Sequence, residues 1–174
     1  MATGSLKGFQ IIRDLIFVDA ETTGLDDRSD LLVELTWARL TGDPKTLYFG
    51  VVDAQVPDFI DDLIGFTKRG IAGKISPAEE IEEYVAASEG NTMVAANPAF
   101  DKGFLVKNHL FPFHYRMLDL ESYAMAKLGL EEMPGMKTVF DVLTDMGHSI
   151  TQPDHTSLND VLAMRDAYNC LVTM

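Results

Sequence analysis

An apolar run, Leu15-Ile16-Phe17-Val18, leads directly into two carboxylates set two residues apart, Asp19 and Glu21. Apolar runs of this kind read as buried β-strand. A strand alternates its faces, so residues two apart share one side. Asp19 and Glu21 therefore point together at one spot. Carboxylates crowded on one spot repel each other unless a cation holds them. Hard oxygen donors of this kind suit Mg²⁺ or Mn²⁺. Two further blocks carry chemistry later in the chain. One is Asn97-Pro98-Ala99-Phe100-Asp101, and the other pairs His155 with Asp160.

A chain of 174 residues is one domain by length. It can bury about 70% of its unfolded surface, so it needs no disulfide to be stable. The single cysteine, Cys170, excludes an internal disulfide framework and a cysteine-rich zinc site. It reads as a buried helix residue in a reducing, cytoplasmic setting. No apolar stretch approaches the length of a membrane span. The first residues, Met1-Ala2-Thr3-Gly4-Ser5, are small and polar. Residues 1–10 read as a loose tail or a cloning remnant, and 11–174 as the folded domain. The net charge of −13 argues against tight, extended duplex binding, because an acidic surface repels phosphate. It fits a protein that takes a few nucleotides at one site, or one delivered to its substrate by a partner.

The pattern predicts strands at Leu15–Ala20, Leu31–Leu40 and Thr46–Val52, joined as an antiparallel meander. Thr41-Gly42-Asp43-Pro44 supplies the second turn. Val56–Phe66 is ambiguous, with a short helix as one reading. Ser76-Pro77-Ala78-Glu79 combines an N-cap, a first-turn proline and an early acid, so a helix runs from there to about Ser88. Thr92–Ala96 is a short strand, Pro98 opens a helix to about Asn108, and Tyr115–Asp119 is a further strand. Helices follow at Leu120–Leu128, at Lys137–Met146, and from His155 or Thr156 to Leu171. Together these make an α/β fold: a five-stranded mixed sheet, meander first and parallel strands after, flanked by helices.

The three blocks resemble the motifs of the DEDDh family of 3′–5′ exonucleases, which holds the bacterial replicative proofreading subunit, oligoribonuclease and ribonuclease T. Its first motif, D-x-E-T-T-G, stands here as Asp19-Ala20-Glu21-Thr22-Thr23-Gly24. Its second, often H-N-x-x-F-D, is kept as Asn97, Phe100 and Asp101, with Ala96 in place of the histidine and Pro98 next. Its third, H-x-x-x-x-D, is His155 and Asp160, with Ser157 where many members have alanine. The resemblance covers nearly the whole chain, from Leu15 to Leu171. It implies a ribonuclease H-like fold and catalytic residues Asp19, Glu21, Asp101, His155 and Asp160. By the same resemblance the four carboxylates hold two Mg²⁺ or Mn²⁺ ions. Asp19 bridges both, Glu21 and Asp160 complete one site, and Asp101 serves the other through water. His155 takes the proton of the attacking water.

The resemblance also implies substrate contacts at Thr22, Thr23, Leu25, Asn97 and Phe100. Thr22 would reach the terminal 3′-hydroxyl through its backbone N–H. Leu25 either wedges against the terminal bases or packs its own turn. Phe100 either lines the nucleotide pocket or joins the helix core. Lys68, Arg69 and Lys74 form a modest basic cluster that either touches phosphates or is a solvated loop; Trp37 reads as core, and Met125, Met133, Met136 and Met146 as core filler. His109, His114 and His148 have no acidic partners in sequence and read as surface or core-edge residues. Three functions follow. The first is a 3′–5′ exonuclease on single-stranded DNA, acting alone or with a DNA polymerase. The second is an exoribonuclease on short RNA. The third, of another class, is a polymerase-bound structural module. No oligomeric state follows from the sequence.

Overall fold

A computed structural model describes residues 13–174, so the tail expected at 1–10 lies outside the described residues. The strands are β1 (Leu15–Thr22), β2 (Leu32–Arg39), β3 (Lys45–Tyr48), β4 (Thr92–Ala95) and β5 (Leu118–Asp119). The helices are α1 (Asp58–Ile64), α2 (Ala78–Ser88), α3 (Pro98–Lys107), α4 (Leu120–Leu128), α5 (Met136–Asp145) and α6 (Ser157–Thr173). The sheet order is β3-β2-β1-β4-β5. β1, β2 and β3 pair antiparallel, and β4 and β5 add in parallel. This is the mixed five-stranded sheet expected.

Several boundaries differ from the expectation, each for a local reason. β1 runs on to Thr22, because Asp19–Glu21 still pair with β2 before the register shifts between Glu21 and Thr22. β3 stops at Tyr48, since Gly50 turns away at φ 72°, and only Phe49 bridges on to Ile75. Pro77, not Ser76, sits at the N-cap of α2; the Ser76 hydroxyl donates to Glu80 instead. β5 shrinks to two residues. The ambiguous segment does hold a helix, α1.

Alternation in β1 sorts its side chains between two cores. Ile16, Val18 and Ala20 pack with Tyr84, Phe104 and Leu105 beneath α2 and α3. Phe17 points the other way, into Leu120, Phe140, Val161 and Met164 from α4, α5 and α6. Phe17 is fully buried; truncating such a residue to alanine costs about 3–5 kcal/mol. A smaller cluster under α1 gathers Val33, Ile60, Ile64 and Phe66. Asp19 and Glu21 continue the Phe17 row. The same alternation that fills both cores thus delivers both carboxylates to the α6 side of the sheet.

Trp37 is buried and tilts against Tyr84 with ring centroids 6.1 Å apart. Met125 and Met136 are partly buried, but Met133 and Met146 are exposed, so they are not core filler. Both lie beside turns at helix ends, where no layer covers them. Cys170 is partly buried against the α6 core.

Candidate active site

Asp19 and Glu21 from β1 meet Asp160 from the first turn of α6. One carboxylate oxygen of each lies within 4.8 Å of the others. The site therefore joins the middle of the sheet to a helix more than a hundred residues later. Thr156 caps α6, its hydroxyl accepting from Asn159 N–H at 3.3 Å, and this sets Asp160 on the turn facing the sheet. Asp101, buried on α3, stands alongside: its Oδ1 accepts from the Ala20 N–H at 3.1 Å. That bond ties the α3 carboxylate to the backbone between the two β1 carboxylates.

Burial and mutual repulsion act on the whole group. Glu21 rises from an ordinary 4.5 to about 8, first through burial, then through Asp160 and Glu34, with Arg69 opposing. Asp101 rises to about 7 through burial, partly offset by backbone hydrogen bonds. Asp19 is pushed well up by burial and then by Asp101, Glu21, Asp160 and Glu34. Asp160 is raised by burial, against the Asp154 N–H bond and the neighbouring His155. An all-oxygen set held this close, and this reluctant to carry its charges alone, has the donor chemistry that fits Mg²⁺ or Mn²⁺.

His155 lies just before α6 with φ 58°, a backbone region uncommon for a side chain of its size. The loop over-determines that conformation. Asp154 accepts from Thr156 N–H at 3.1 Å, from the Thr156 hydroxyl at 2.6 Å and from Asn159 Nδ2 at 2.8 Å, while its own N–H donates to Asp160 at 3.2 Å. His155 is exposed and lines a cavity of about 370 Å³ together with Asp19 and Asp160. Ala96, Met136, Phe140 and Met164 form an apolar wall of that cavity, and Lys137 and Gln152 stand at its edge.

The expected substrate residues sit elsewhere around the site. Thr22 and Thr23 are buried and build their turn: the Thr22 hydroxyl donates to Gly24 O at 2.6 Å, and the Thr23 hydroxyl accepts from Leu31 N–H at 2.9 Å. Leu25 projects at 85% exposure beyond that turn. Asn97 is exposed at the N-cap of α3 without a side-chain capping bond. Phe100, partly buried, packs on Phe104 at 5.2 Å against the core. None of these five lines the cavity. The α5 wall escaped the sequence reading because Met136 and Phe140 look like any amphipathic helix face.

Glu34 was missed as well. It sits fully buried on β2 directly across from Glu21, and both its oxygens accept from Arg69 Nη2, at 3.0 and 2.8 Å. Arg69 is therefore an ion-pair partner rather than part of a solvated basic loop, and Lys74 lies over the Tyr48 ring at 5.2 Å. A lone glutamate in an apolar strand was the available signal.

No family model matches the chain. A 98-residue stretch, 55% of the chain, is 29% identical to the PolC-type DNA polymerase III of Clostridium perfringens, of which it spans 7%. Among solved structures, the zinc-bound complex of E. coli exonuclease I with single-stranded DNA superposes with TM-score 0.66 at 19% identity, covering 92% of this chain and 40% of that one. Exonuclease X in complex with 5′-overhanging duplex DNA superposes with TM-score 0.62 at 15% identity, covering 91% of each chain. The chain shares the fold of these two exonucleases. Cell-death related nuclease 4 shares it too, with TM-score 0.68 at 14% identity over 93% of this chain and 64% of that one. Among the described residues no helix is long and apolar enough to cross a membrane.

Proposed function

We propose that this chain is a metal-dependent 3′–5′ exonuclease of the DEDDh type, acting on single-stranded DNA and releasing nucleoside 5′-monophosphates. One observation carries the reading: three carboxylates from two distant elements share one spot, and two of them, Asp19 and Asp160, line a cavity together with His155. The exonuclease fold supports it.

Asp19, Glu21 and Asp160 would hold Mg²⁺ or Mn²⁺, with Asp101 available beside Asp19 for a second ion. Bound divalent ions would supply charge relief at phosphorus and acidify the attacking water. The chain's own residues do the rest. His155 accepts the proton of that water, the general-base role an imidazole ring nitrogen can fill. The Asp154 hydrogen bonds keep the imidazole's backbone in place without substrate, which lowers the ordering needed at the moment of reaction. The apolar wall of Met136, Phe140 and Met164 offers a face to a base or sugar, and Lys137 offers a charge to a phosphate. Leu25, exposed beyond the Thr22–Thr23 turn, would separate terminal bases. Few other cations surround the site, so base-edge reading and strong sequence preference are not expected.

The test is a single-stranded DNA carrying a 5′ label, incubated with Mn²⁺ or Mg²⁺ and then with EDTA. A ladder shortening one nucleotide at a time from the 3′ end is the expected result. Internal fragments, or no cleavage at all, reject the proposal. The net charge of −13 favours short substrates and keeps a second reading, an exoribonuclease on short RNA; matched DNA and RNA oligomers of several lengths separate the two. The stretch similar to a PolC-type polymerase favours a DNA polymerase as a partner. A purely structural, polymerase-bound role is disfavoured by the presence of all five motif residues.

A further inference from the structure

Glu34 has no place in the chemistry proposed above, yet it occupies the most expensive position near it. It is fully buried, and its strand register sets it across from Glu21. A carboxylate taken out of water beside other carboxylates is destabilising unless its oxygens are satisfied. Glu34 is satisfied from two directions. Arg69 Nη2 donates to both oxygens, and Arg69 Nη1 is anchored at 3.1 Å on Ile64 O at the end of α1. From the other side, Ser157 donates its backbone N–H at 3.2 Å and its hydroxyl at 3.0 Å, both to Glu34 Oε1. The Ser157 hydroxyl also lies 2.7 Å from that of Thr36 on β2.

Ser157 is the first residue of α6, so its N–H is one of the donors that a helix start leaves without an intrahelical partner. Glu34 takes that donor and thereby pins the helix start to β2. His155 precedes Ser157 by two residues and Asp160 follows in the same turn. We propose that the Glu34–Arg69 pair is a positioning element for His155, fixing the start of α6 so that the imidazole two residues before it faces Asp19, while Asp160 is held separately by the Asp154 N–H. Glu34 touches neither substrate nor the reacting atoms. It acts through the helix it holds. The inference rests on the exonuclease reading for its effect on rate, and on geometry alone for its effect on His155.

Glu34→Gln keeps the shape and an acceptor for Ser157 but removes the charge that holds Arg69 and strengthens both bonds. The purified full chain is read two ways. In the oligonucleotide assay, Glu34→Gln is expected to lower kcat tenfold or more with KM within twofold. Combined with His155→Ala it should cost less than threefold further, since the base it positions is already gone. In metal-free protein, the imidazole NMR signals of His155 should shift and broaden, while those of His109 and His148 stay in place. Should Glu34→Gln melt below assay temperature, Arg69→Lys, which keeps a charge but lacks the second nitrogen anchored on Ile64 O, takes its place in both measurements. A kcat within twofold of the parent, or a full tenfold loss on the His155→Ala background, overturns the proposal. So do unmoved His155 signals. A parent protein without nuclease activity instead rejects the exonuclease reading, and the NMR result then decides the clamp by itself.

Discussion

Removing one charge from the carboxylate cluster should make the metal-free protein more stable, by an amount that grows with pH. Glu21→Gln is the cleanest perturbation, because the side chains are nearly isosteric. Burial and Asp160 raise the Glu21 carboxyl from an ordinary 4.5 to about 8. A group whose pKa is higher in the folded state favours folding while protonated. Its contribution is full below pH 4.5 and is lost as pH rises through 8. At about 1.4 kcal/mol per unit, a rise of about 3.5 units caps the loss near 5 kcal/mol. Asp19 and Asp160 share the same repulsion and relieve part of it by taking protons themselves. About half the cap, ~2.5 kcal/mol, is the expected gain for the variant above pH 8. In a chain of this length that is roughly 5–10 °C in melting temperature. Circular dichroism melts of both proteins in EDTA from pH 4.5 to 9 provide the assay, and their difference cancels the pH response of groups remote from the cluster. The curves should coincide at pH 4.5 and separate steadily to pH 8. Adding Mn²⁺ at pH 8 should then raise the parent more than the variant. A gap that does not depend on pH, or a variant that melts lower at pH 9, refutes the reasoning.

His155→Ala should lower kcat by about 10²–10⁴-fold while Mn²⁺ still raises the melting temperature; a native rate removes the histidine from its role. Leu25→Ala should leave the melting temperature within a degree or so but raise KM on single-stranded oligonucleotides severalfold, because the side chain is 85% exposed and buries almost nothing; an unchanged KM returns Leu25 to turn packing. Gly24→Ala should destabilise by about 1–3 kcal/mol, measured by urea unfolding, because a Cβ there would overlap the Asp30 carboxylate that accepts the Asp26 N–H at 2.8 Å; unchanged stability would mean that this loop yields freely.

Local rules made much of this molecule readable in advance. The D-x-E spacing implied a shared strand face, and the face proved to be that of Phe17 and α6. The last helix, expected from His155 or Thr156 to Leu171, runs from Ser157 to Thr173. Pairings between distant segments were not readable. Glu34 is one acid in an apolar strand, and its partner Arg69 sits 35 residues on, among Lys68 and Gly70, where a solvated loop is the natural reading. Chemistry at that distance is invisible until the sheet sets β2 against α6. The cavity wall was hidden for a related reason: Phe140 and Met164 pack one core, and only the layering of α5 on α6 turns their edge outward. Met133 and Met146 failed for the opposite reason, since an apolar residue type was read as burial when neither has a layer above it.

The placement of α6 has a temporal consequence. Translation delivers Asp19, Glu21 and Asp101 first, along with every described strand of the sheet, and delivers His155 and Asp160 only after the last of those strands. A nascent chain can therefore settle its sheet while holding neither the histidine nor the third carboxylate of the cluster. On the reading proposed above, competence would switch on in a single event, when α6 docks across β1 and β2.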